Sequence, residues 1–141
     1  MDRAVIHIAA ARMDDGAGRT LLVRKSGTDC FMQAGGKMEG AEDALTTLRR
    51  EVREEIGFDL DPAACRYLGR FSAPAAHEPG WIVTAELFHV LSADEPIASS
   101  EIAEARWVCL DEADGLNLAP LTRDPVLPLA RTKAALIGGL T

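Results

Sequence analysis

The stretch from Gly36 to Phe58, GKMEGAEDALTTLRREVREEIGF, constrains this chain more than any other. Glycines crowd its approach, so Gly35-Gly36-Lys37-Met38-Glu39-Gly40 reads as a structured loop whose backbone can take conformations and close approaches that a Cβ would forbid. Asp43 then offers a side-chain oxygen to a free N–H of a first helical turn, and Ala44, Leu45 and Leu48 propagate the helix. Gly57 supplies the stop. At about 100° per residue, Leu45, Leu48, Val52 and Ile56 fall on one narrow apolar stripe, which requires a core to pack against. Glu51, Glu54 and Glu55 gather on an adjoining face, and Arg49, Arg50 and Arg53 take the remainder.

Those three carboxylates repel one another, because like charges at helical spacing destabilise by about 0.2–0.5 kcal/mol per pair. Arg50, four residues before Glu54, offsets part of this. Two readings of the acidic face are open. It is a solvated surface, or it holds a divalent cation, since Mg²⁺ takes hard oxygen ligands and is usually held by a few carboxylates, waters and substrate phosphates.

The spacing resembles that of the Nudix hydrolases. Their box runs glycine, five residues, glutamate, seven residues, Arg-Glu, an apolar residue, any residue, Glu-Glu, any residue, glycine and another apolar residue. Here the matching positions are Gly36, Glu42, Arg50, Glu51, Val52, Glu54, Glu55, Gly57 and Phe58, with every spacing kept. Pattern alone gives only α/β or α+β; the resemblance implies an α/β fold, an α/β/α sandwich around a mixed β-sheet. It also implies metal-dependent hydrolysis of a phosphoanhydride. In that reading Glu51, Glu54 and Glu55 hold Mg²⁺, or Mn²⁺, with the Gly35 carbonyl assisting. Arg50 orients the glutamates through ion pairs, and Glu42 joins through water or through Arg50. Glu54 and Glu101 compete as proton acceptor. Dimers are common in the family, so a homodimer is the implied assembly.

With 141 residues, 48% hydrophobic and 26% charged, the chain suits one soluble globular domain spanning 1–141 with a real core. A net charge of −7 and a pI near 4.9 argue against nucleic acid or an anionic membrane as partner. An anionic small-molecule nucleotide substrate therefore needs local cations or a metal. No segment reaches the ~18 consecutive apolar residues of a membrane helix, and the brief Ala4–Ala11 run reads as a strand rather than a signal peptide. Cys30, Cys65 and Cys109 are odd in number and far apart, which suits free thiols in a reducing cytoplasm.

Along the chain, Asp14–Gly18 separates two apolar runs, Ala4–Arg12 and Thr20–Lys25, as a hairpin turn would. Arg24 and Lys25 close the second run, either for solubility at a strand end or to contact substrate phosphate. Cys30–Gln33 reads as a short strand, Arg66–Ser72 as another, and Trp81–Leu91 as the clearest. Between the last two lies a loop, Ala73–Gly80, in which His77 and Glu78 are surface residues or substrate contacts. Pro74, sixteen residues beyond Phe58, stands where family members that cleave ADP-ribose tend to carry a proline. After a loop over Ser92–Ser100, a strand ends in Trp107 and Val108. Glu101 lies six residues before that tryptophan, where the family often has a base or an extra metal ligand; without the resemblance, Glu101 and Glu104 are ordinary surface acids. A short turn or helix is expected near Leu110–Gly115 and a helix over Pro125–Leu136, while Trp81 and Phe71, the aromatic residues open to stacking on a base, are assigned to the core.

The first functional reading is an enzyme acting on a nucleoside diphosphate joined to another group, of the ADP-ribose or sugar-nucleotide type. Nucleoside triphosphates, including oxidised ones, form the alternative substrate class. A non-catalytic nucleotide-binding module is the rival from outside enzymology, and the full set of mutually repelling box glutamates argues against it.

Overall fold

A computed structural model describes residues 4–129. Its elements are β1 (Ala4–Asp14), β2 (Arg19–Lys25), β3 (Phe31–Met32), β4 (Ala34–Lys37), α1 (Ala44–Ile56), β5 (Cys65–Pro74), β6 (Trp81–Leu91), β7 (Ile102–Cys109), α2 (Leu110–Ala113) and a helical stretch α3 over residues 120–129. The strands make a mixed sheet, seven-stranded among the described residues. β1 lies at its centre, parallel to β6 from Ala4↔Trp81 to Asp14↔Leu91.

On its other side β1 changes partner. It meets β2 only at Asp14↔Thr20, beside the turn that joins them. Further along, β4 takes that place, antiparallel from Ile8↔Lys37 to Ala11↔Ala34. β2 turns away to pair with β3 and β7. The sheet is thus split where β1 and β2 diverge.

Period-2 alternation sends successive β1 residues to opposite faces. Ala9, Ala11 and Met13 join Phe88 and Val90 beneath the buried Leu48, Val52 and Ile56 of α1. Ala10 joins Ala85 and Leu87 on the other face, against Leu121 and Val126 of α3. A third cluster ties Leu22, Phe31 and Val108 to Ala113, Leu118 and Leu127. Helices therefore cover both faces, the α/β/α arrangement that the box implied.

α1 begins and ends as its sequence dictates. Asp43 accepts a hydrogen bond from the Thr46 N–H at 2.8 Å, and Gly57 takes the left-handed conformation (φ 76°), its N–H donating to the Arg53 carbonyl.

Three expectations need correction. Gly35 and Gly36 lie in a strand, β4, rather than in a loop. Glycine is required there by close approach: a Cβ on Gly35 (φ 151°) would lie 2.1 Å from the Ala9 carbonyl oxygen. Trp81 is 42% exposed and outside the three core clusters; it opens β6 at the end of the strand. The last helix starts near residue 120, ahead of Pro125, which sits inside a wide π turn over Thr122–Val126; positions 130–136 of the expected helix lie outside the described residues.

Candidate active site

α1 and β4 meet at the split in the sheet. Gly36 is the contact point: a Cβ there would come within 2.4 Å of the Glu51 carboxyl carbon, so only glycine leaves room for that carboxylate against the strand.

Arg50 gathers the acids around it. Its Nε donates to Glu42 Oε2 at 2.9 Å and its Nη2 to Glu42 Oε1 at 2.9 Å, a bidentate fork. Nη1 donates to Glu51 Oε1 at 2.8 Å, and Nη2 also reaches the Lys37 carbonyl at 3.3 Å. Glu54 stands 3.8 Å from Nη1 with its side chain 53% exposed. The Arg50 hydrogen bonds hold the Glu42 carboxyl down to about 2 against the opposing effect of burial, with the Glu39 N–H and the Thr47 hydroxyl also donating to it.

Glu55 has the opposite environment. It is 6% exposed, and its Oε1 accepts the Gly35 N–H at 2.9 Å. Burial pushes its pKa up to about 7; the Gly35 bond and Lys25 oppose the rise, while Glu51 and Glu101 add to it. The helix face read as one acidic surface is therefore graded from buried Glu55 through Glu51 to solvated Glu54.

A metal would meet hard carboxylate oxygens here, and a buried carboxylate held near its neutral form gains from a cation beside it. The donor chemistry fits Mg²⁺ or Mn²⁺. Among the described residues, however, no three His, Cys, Asp or Glu side chains are gathered closely enough to ligate as they stand. The reason is visible: Glu51 is turned to Arg50 and Glu55 to the Gly35 N–H.

Beside this cluster a cleft opens on the α3 face of the sheet. Ile6, Ile8, Ala10 and Val83 form its apolar floor, Ala119, Leu121 and Thr122 one wall, and residues 74–78 another. Gly35, Gly36, Lys37, Glu55 and Lys25 stand along its edge. Of the residues singled out for substrate, Lys25, His77 and Glu78 line the cleft. Arg24 is placed elsewhere: its guanidinium donates to the Thr28 carbonyl at 2.7 Å and to Glu104 at 3.3 Å. Glu101 sits in the turn before β7, where its carbonyl accepts the Ser26 N–H and its charge is felt by Glu55. Glu104 pairs with Arg24 and Arg106. Sequence reasoning missed Gln33 and Thr122. Alternation along β1 would have grouped Ile6, Ile8 and Ala10, but nothing local announces two polar residues brought together from positions 89 residues apart.

No helix among the described residues is long and apolar enough to cross a membrane. Comparison with known proteins agrees with this geometry. The family model of the NUDIX domain matches residues 3–130. No curated protein matches the chain. Among solved structures, the Escherichia coli ORF135 protein is similar at 27% identity over 94% of each chain, with a TM-score of 0.72. The MutT protein of Methanosarcina mazei Go1 shares the fold at 23% identity, covering 94% of this chain and 98% of its own, with a TM-score of 0.76. So does a bifunctional NMN adenylyltransferase/ADP ribose pyrophosphatase from Francisella tularensis, solved with AMP and a Mn ion, at 17% identity, 94% and 42% coverage and a TM-score of 0.71. Nudix hydrolases generally need a divalent metal ion. With a family match that takes in nearly the whole chain and its box folded as strand, loop and helix, the protein belongs to the Nudix family and is a pyrophosphohydrolase.

Proposed function

We propose that this enzyme hydrolyses the phosphoanhydride bond of a nucleoside diphosphate derivative, of the ADP-ribose or sugar-nucleotide type, with Mg²⁺ or Mn²⁺ held by Glu51, Glu54, Glu55 and the Gly35 carbonyl. The observation that carries this reading is the position of buried Glu55, at the edge of an apolar cleft and beside Arg50-tethered Glu51. The bound ion supplies charge neutralisation of the phosphates and of the leaving oxygen.

The remaining work falls to the chain's own residues. Arg50 keeps Glu42 ionised and holds both Glu42 and Glu51 in orientation, which spares the site the reorganisation of several mobile acids. Lys25 places a positive charge on the cleft edge, where a phosphate would approach. His77 and Glu78, on the loop over the cleft, contact the far portion of the substrate. Glu54 or Glu101 takes the proton of the attacking water; both are exposed, and Glu101 stands within electrostatic reach of Glu55.

A panel of ADP-ribose, sugar nucleotides, dinucleoside polyphosphates and nucleoside triphosphates, assayed with Mg²⁺, Mn²⁺ or EDTA, tests the reading. Cleavage of a diphosphate derivative is expected, abolished by EDTA. A loss of about 10²-fold or more in kcat for Glu54→Gln or Glu101→Gln, with Mg²⁺ affinity unchanged, identifies the proton acceptor. Turnover confined to triphosphates would move the enzyme to the alternative substrate class, and metal binding by a folded protein without any turnover would favour the binding-module reading.

A further inference from the structure

One residue that lines the cleft carries a buried donor without an acceptor. Gln33, just before β4, is 6% exposed and lines the cleft. Its Oε1 accepts a hydrogen bond from the hydroxyl of Thr122, wholly buried, at 2.7 Å. That bond fixes the amide with its oxygen toward α3 and leaves Nε2 buried and without a partner. Buried polar groups in folded proteins are nearly always satisfied, so an orphan donor on a residue that lines a cleft calls for a ligand atom.

Two independent features bear on the same point. Thr122 opens the wide π turn of α3, and such turns, rare elsewhere, concentrate at functional sites. Arg12 is the second feature. Since Ala11 pairs with Ala34, Arg12 and Gln33 are the next positions of the two chains on the same sheet face. Arg12 is 1% exposed, its guanidinium nitrogens make no hydrogen bond, and its ion-pair contact is Asp14 at 3.3 Å. Every buried side-chain N or O atom left unbonded among the described residues is thus a donor, and all of them belong to these two neighbours. The local field and the unused hydrogen bond both favour an acceptor, while Ile6, Ile8, Val83 and Leu121 offer apolar surface to a flat ring.

We propose that Gln33 is a specificity residue that donates through Nε2 to the oxygen at position 4 of a pyrimidine or position 6 of a purine, so that the site prefers keto bases of the uracil, guanine or hypoxanthine kind over counterparts with an amino group there. This rests on the proposed nucleotide-hydrolase reading and deepens it, selecting uridine or guanosine sugar nucleotides ahead of ADP-ribose. A site built to hydrogen-bond one substrate group discriminates strongly against the analogue that lacks it, because the buried partner is then left unpaired.

The test compares pairs that differ at one exocyclic position, UMP with CMP and IMP with AMP, by titration calorimetry on the wild type and on Gln33→Leu, Gln33→Glu and Thr122→Val. Melting curves establish that each variant is folded. The wild type is expected to bind the keto member at least about 10-fold more tightly. Gln33→Leu removes that ratio, Gln33→Glu inverts it by replacing a donor with an acceptor, and Thr122→Val weakens it by releasing the amide. Equal binding within both pairs, no binding at all, or a preference that survives Gln33→Leu would overturn the assignment. Parallel hydrolysis of UDP-glucose and CDP-glucose separates the two readings. Turnover that ignores the base sinks this inference alone, whereas a keto preference in binding without turnover sinks the hydrolase reading and leaves this one standing.

Discussion

At the scale of single residues, Glu55 is the most informative group in the molecule. Its carboxyl has an ordinary pKa of 4.5 when the chain is unfolded and is pushed up to about 7 by burial in the fold. The folded state therefore holds the proton more tightly. Its contribution to stability is complete below the unfolded value and is lost as pH rises through the folded one, a change of about 3 kcal/mol across that window. Urea melts of metal-free protein should show the wild type losing roughly this much against Glu55→Gln between pH 4.5 and 7.5, and Mg²⁺ should shrink the difference by stabilising the ionised form. A gap between the two proteins that ignores pH would refute the assigned environment. This grading was only half legible in the sequence. Helical spacing put Glu51, Glu54 and Glu55 on one face, but their burial depends on β4 and β7, which no local pattern brings near α1.

At the scale of elements, α1 is the part that sequence described best, because its information is local. The Asp43 cap, the left-handed Gly57 and the stripe of Leu48, Val52 and Ile56 all stand where spacing and side-chain chemistry put them. Asp43→Ala should cost about 1 kcal/mol, as loss of an N-cap usually does. Thermal melts would register it, and Asp43→Ser should recover most of the loss; an unchanged melting temperature would deny the cap its role. β4 was misread for an equally physical reason. Glycine serves loops and close-packed strands alike, and only the proximity of Ala9 and Glu51 decides between them. The start of α3 was misplaced because proline normally marks a first turn, whereas Pro125 sits in a widened one.

At the scale of the whole molecule, the three apolar clusters share strands rather than dividing the chain. β1 contributes Ala9, Ala11 and Met13 to one cluster and Ala10 to another, while β2 contributes Leu21 and Val23 to the first and Leu22 to the third. Damage in one should spread to all. Leu87→Ala, at a wholly buried position, is expected to cost about 2–5 kcal/mol and to lower the midpoint of a single unfolding transition followed by both circular dichroism and Trp fluorescence. Two separated transitions would show that the layers unfold independently. The layered class was readable from the box, yet the order of strands was not, since register is a relation between distant segments. The pairing of β1 with β6 carries a kinetic consequence. Ala4 meets Trp81, 77 positions away, and the offset is held through all eleven pairs to Asp14↔Leu91. Closing so long a loop precedes any reward from the contacts it brings together. During synthesis the central strand is made first and waits, its parallel edge open, until the chain has grown past Leu91. The polar residues His7, Arg12 and Asp14 along β1 then have a second use, in keeping that waiting edge soluble.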